Sequence, residues 1–121
     1  MPVYNFKVNF DKALKICKLN SNDLVNEFGN VPRPGPIPKF SDLEVISLSM
    51  MAEALGIDSE NLLFLKIRTD YPEDFSTIIS RRQYNDRRKS LFPLQKDIQS
   101  RMAKQIDEFE PIGRVKHTLA A

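Results

Sequence analysis

Apolar positions recur along the chain at steps of three and four, the period of an α-helix. Phe10, Leu14 and Cys17 mark one face from Val8 to about Leu19, with Lys12, Lys15 and Lys18 on others. A short second piece is expected next, with Ser21 or Asn22 as cap, Leu24, Val25 and Phe28 as apolar contacts and Gly29 as its stop. GNVPRPGPIPKF follows, with four prolines between Pro32 and Pro38. Proline removes backbone donors and restricts the residue before it, so this stretch reads as an extended connector.

The strongest pattern opens at Ser41. Ser41 and Glu44 form a capping-box sequence, and Asp42 and Glu44 suit the positive end of a helix dipole. Val45, Leu48, Ser49, Ala52 and Leu55 line one face, and Ile46, Met50 and Met51 widen the apolar arc, so the helix is expected to be central. Gly56 stands where a left-handed terminating residue is wanted. A further helix starts after Asp58 or Ser59, with Leu62, Leu63, Phe64 and Ile67 as its core face, and ends at Tyr71-Pro72. Phe75, Ile78 and Ile79 read as anchors of the connector that follows. Ser80 is the expected cap of the next helix. Leu91, Leu94, Ile98, Met102, Ile106 and Phe109 then mark a long amphipathic helix, with a joint at Phe92-Pro93 and Pro93 at its first helical position. No alternating strand pattern, repeat or glycine-rich loop occurs. The chain is expected to be all-α with five or six helices: N-terminal helices over 1–30, a Pro-rich connector over 31–40, a helical core over 41–110 and an irregular tail over 111–121.

The 121 residues, 41% apolar and 28% charged, suffice for one domain. No eighteen-residue apolar window exists, so no membrane partner is expected. The first residues lack the apolar run of a secretory signal. The lone Cys17 excludes an internal disulfide and reads as a small buried hydrophobe; a reducing cytoplasm fits.

Charge changes the picture more than composition does. The net charge is only +2, but residues 41–75 hold two basic against eight acidic side chains, and residues 76–90 hold five against one. A fold that brings the two blocks together neutralises the second; polyanion binding needs them turned apart. The basic block is SRRQYNDRRKSL, Ser80–Leu91. At roughly 100° per residue, Tyr84 and Leu91 superimpose and mark its buried side. Measured from Tyr84, Arg88 lies near about +40°, Arg81 near +60°, Asn85 near +100°, Lys89 near +140° and Arg82 near +160°, while Asp86 and Arg87 fall elsewhere. This one-sided stripe suits DNA. Arginine can bond guanine and asparagine adenine bidentately, so Arg82 and Asn85 are the expected base readers; Arg81, Arg88 and Lys89 would contact phosphates. Arg33 and Lys39 on the connector would add backbone contacts. Helix, connector and basic helix follow the order of a helix-turn-helix, although Tyr71–Ile79 is long for the strict motif. The competing expectation is a solvated face, or one paired with the acidic block.

Catalytic groups are scarce. His117, the only histidine, stands apart from any acid, and the carboxylates read as caps, first-turn acids or loop acids with no metal-clamp pair. No cofactor is expected.

Two stretches carry a family resemblance. PGPIPKFSDLEVISLSMMAEALGIDSENLLF and RRQYNDRRKSLFPL resemble, in order and spacing, the N-terminal region of bacterial transposases of the insertion-sequence 982 group, over about residues 30–110. The resemblance implies a helical part that binds terminal inverted repeats in double-stranded DNA, in the bacterial cytoplasm on the nucleoid. In that family a ribonuclease-H-like domain follows, whose three acids hold two divalent metals such as Mg²⁺. This sequence continues as EPIGRVKHTLAA, in which no residue matches the first catalytic aspartate, so the chain is expected to be truncated before that domain and inactive alone. The alternative is a helical interaction module, using Leu94, Ile98, Met102, Ile106 and Phe109 to form a homodimer or to pair with and inhibit a full-length transposase.

Overall fold

Nine of the fourteen residues of the helix Asp42–Leu55 are buried, so it must be covered on more than one side. The computed structural model describes residues 6–109 except 74 and 76, with residues 105–109 described for their backbone alone. Five helices stand in chain order: α1 Phe6–Leu19, α2 Asp42–Leu55, α3 Glu60–Asp70, α4 Arg81–Ser90 and α5 Phe92–Phe109. The fold is all-α, with no strand among the described residues. The side chains of Ile106 and Phe109, as well as His117 and the 111–121 tail, lie outside the described residues.

The ends of α2 follow the sequence closely. Ser41 accepts from the Glu44 amide at 3.1 Å, and Glu44 accepts from the Ser41 amide at 2.7 Å. The amides of Asp42 and Leu43, which have no partner within the helix, donate to Asn30 Oδ1 and to the Gly29 carbonyl. Gly29 takes a φ of +79°, and Gly56 ends the helix at +71°, a region that side chains with a Cβ rarely adopt.

Around α2 the packing is aromatic on one side. Phe6 stacks on Tyr71 at 5.5 Å between ring centres, and Phe10 meets Phe75 edge-on at 5.0 Å. Phe64 of α3 lies 5.2 Å from Tyr84 of α4. Leu43, Val45, Ile46 and Leu48 of α2 join them in a single core with Ile98 of α5. Each such side chain contributes about 1.5–3 kcal/mol through burial. Cys17 is buried as a free thiol, and burial raises its pKa despite a contact from the Ser47 hydroxyl.

Three expectations are corrected. Residues 20–30 form turns rather than a helix, because polar side chains take the backbone groups a helix would use. Ser21 Oγ donates to the Cys17 carbonyl, and Asn26 Oδ1 accepts from the amides of Phe28 and Asn30. Leu62 points outward at 53% exposure, since Leu63, Phe64 and Ile67 already fill the inward arc of α3. Pro93 is the second residue of α5, not the first, because the helix begins at Phe92.

Candidate nucleic-acid interface

Helix α4 is held at three points. Ser80 caps it in a capping box with Gln83, the two side chains and backbones bonding reciprocally at 3.1 Å each way. Tyr84 and Leu91 are buried, as the period requires. The Tyr84 hydroxyl, with its pKa raised by burial, shares a hydrogen bond with Ser49 of α2. The third hold is electrostatic and involves both acidic-block helices.

Asp42, the first residue of α2, carries a carboxylate that is 1% exposed. Arg33 grips it with two bonds, Nη1 to Oδ2 at 2.7 Å and Nη2 to Oδ1 at 3.1 Å. Arg87 of α4 donates to Oδ1 at 2.8 Å, and the Val31 amide donates to Oδ2 at 2.9 Å. Burial alone would raise the Asp42 pKa, but the bonds from Arg33, Arg87 and Val31 outweigh it and hold the carboxyl below its usual range. Asp42 therefore joins the connector, α2 and α4.

Glu60, the first residue of α3, does the same on the other flank. Its Oε2 accepts from Arg88 Nη2 at 3.2 Å, and its Oε1 lies 3.8 Å from Arg81 Nη1. Arg88 Nη2 also donates to Asn85 Oδ1 at 3.3 Å. Glu53 and Asp58 line the same shallow hollow as Glu60 and Arg88, so that flank is acidic overall.

The fold thus brings the acidic and basic blocks together over part of their length. Of the seven residues singled out from the sequence, Arg81 and Arg88 face Glu60, Asn85 is joined to Arg88, and Arg33 is bound to Asp42. Arg82 and Lys89 are exposed and make no ion pair with any described residue, and Lys39 is likewise exposed and unpaired on the connector. The free part of the stripe is therefore the pair seven residues apart at its outermost edge, about 10 Å along the helix. Asp86 lies beside it, also exposed.

Arg87 is the residue the sequence reading left out. Its angle from Tyr84 is roughly −60°, as close to the buried side as Arg81 on the other flank, which is the signal that it would meet the core.

Among the described residues no group of three His, Cys, Asp or Glu side chains could hold a metal ion. Among the same residues no helix is long and apolar enough to cross a membrane. No family model matches the sequence, and neither a curated protein nor a solved structure matches the chain.

Proposed function

We propose that the chain is a helical module that binds double-stranded DNA through the outward flank of α4, in the manner expected of the end-binding region of an insertion-sequence transposase. The observation that carries this reading is the alignment of Arg82 and Lys89, exposed and unpaired among the described residues, on a helix fixed by its cap, Tyr84 and two carboxylates. A rigid helix that presents guanidinium and ammonium groups outward can enter a groove or lie along a phosphate backbone without further ordering of its own chain.

In this reading α3 and α4 act as an irregular helix-turn-helix pair. Arg82 reaches a base edge, and Lys89 and the half-exposed Arg81 contact phosphates, while Lys39 lines a groove on the other flank of α4. Asn85 presents its amide nitrogen, since Arg88 already donates to its oxygen. Arg88 and Arg33 serve to position rather than to bind, because their charges are committed to Glu60 and Asp42. Strand transfer would require the metal-binding acids of a further domain.

Fluorescence anisotropy with a labelled duplex of about twenty base pairs tests the proposal. Arg82→Ala and Lys89→Ala should each weaken binding several-fold, while Lys15→Ala on α1 should leave it unchanged. Equal affinity for all three variants and the wild type would refute it.

The interaction-module alternative would need a surface other than the α5 ridge in its first half. Ile98 is 0% exposed, and Leu94 and Met102 pack against the core.

A further inference from the structure

The second flank of α4 faces a groove of about 770 Å³, bounded by Pro38 and Lys39 of the connector, Ile78 and Ile79 before α4, and Arg87 and Ser90 on the helix. We propose that this groove is a binding site for a small organic oxyanion: a carboxylate or phosphate head on a short apolar body.

The head is argued from Arg87. Its side chain is 21% exposed, and among the described residues it makes one side-chain hydrogen bond, to Asp42. A guanidinium carries five N–H donors in a fixed fork. The donors left over have no protein acceptor among the described residues and are open to solvent, and Arg87 lines the groove, where a ligand oxygen can take them. Arg33 and Lys39 line it as well. Against these three cations stand Asp42, whose carboxylate already receives both arginines, and Asp86 at the rim. The uncommitted charge of the groove is therefore positive, and arginine forks match the geometry of carboxylate and phosphate oxygens.

The apolar body follows from the rest of the lining. Pro38, Phe40, Ile78, Ile79 and Leu91 also line the groove, and Ile78 and Ile79 are only partly covered. A bare ion would leave these apolar side chains in contact with water; a ligand with an apolar body would cover them. The volume lies within the range of about 300–1,000 Å³ typical of small-molecule sites. The site lies on the opposite flank of α4 from Glu60 and apart from the Arg82–Lys89 edge, so it stands or falls independently of duplex binding.

A ¹H–¹⁵N chemical-shift titration of the full chain with hexyl phosphate, hexanoate and inorganic phosphate tests the proposal. Saturable shifts centred on Ile78, Ile79, Arg87 and Leu91 are expected with at least one of the two organic anions, at an affinity at least tenfold tighter than for inorganic phosphate. The stronger of the two identifies the head group. Arg87→Gln should weaken that binding at least fivefold. Lys39→Glu, at an exposed side chain with no described ion pair, provides the same test without touching the Asp42 cluster and should weaken it similarly. Lys15→Glu, the same charge change on α1, should not. Absence of saturable groove shifts with either organic anion, equal affinity for inorganic phosphate, or unchanged binding in Lys39→Glu would overturn the proposal. So would displacement of the organic anion from these residues by a short duplex, which would assign the groove to the DNA backbone.

Discussion

Arg87 of α4 donates its Nη2 hydrogen bond to Oδ1 of Asp42, 45 residues earlier in the chain, at 2.8 Å. With Arg33 on the same carboxylate, two guanidiniums depend on one buried charge. Asp42→Asn keeps the shape and removes the charge, leaving both cations without their partner. A loss of about 3 kcal/mol in unfolding free energy is expected at neutral pH, measured by urea denaturation.

The same carboxylate sets a pH dependence. Its folded pKa lies below that of an unfolded aspartate, about 3.9. The unfolded chain therefore takes up the proton first as acid is added. The stability from this group is complete above about pH 4 and is lost as pH falls through the depressed folded value. Urea curves from pH 7 down to pH 3 should show the gap between wild type and Asp42→Asn narrowing. A gap that stays constant would remove Asp42 from the linkage.

Glu60 holds Arg81 and Arg88 at partly exposed sites, and such pairs contribute at most about 1 kcal/mol to folding. Glu60→Gln should leave the fold intact and release both cations toward solvent. If the outward flank of α4 binds DNA, duplex affinity should rise several-fold. With Arg81 already among the wild-type contacts and Arg88 added, the slope of log K against log salt should steepen from about −3 toward about −3.6, at roughly 0.9 per neutralised phosphate. Anisotropy titrations at several salt concentrations measure both quantities.

Core and cap positions separate cleanly. Leu48 is 0% exposed in α2, and Leu48→Ala should cost about 2–5 kcal/mol. Leu62 is half exposed, and Leu62→Ala should stay within about 0.5 kcal/mol of wild type. Ser41→Ala removes the cap of α2 and should cost about 1 kcal/mol. These values come from chemical denaturation of each variant.

The helices were legible because their signals are local. Ser41 with Glu44, Ser80 with its following turn, Gly56 at a left-handed stop and the three-to-four spacing of Val45 to Leu55 each act within a few residues. The turns at 20–30 were not, because Ser21 and Asn26 compete for the backbone in a way that apolar spacing does not register. The charge pairing was half legible. Arg88 and Arg81 stand within roughly 60° of Tyr84, near the buried side, and both meet Glu60; Arg82 and Lys89 point away and meet no described acid. The identity of the acids was hidden, since it depends on where α2 and α3 begin in space. Asp42 reads as a first-turn acid for the helix dipole, and nothing local says that Arg33 and Arg87 converge on it.

The claim that α4 presents a free cationic edge to DNA is tested most directly by the salt dependence of duplex binding in the wild type and in Arg82→Ala/Lys89→Ala. With Arg81, Arg82 and Lys89 as the contacts, log K should fall against log salt with a slope of about −3 in the wild type and about −1 in the double variant. A flat response in the wild type, or the same slope in both proteins, would contradict the account.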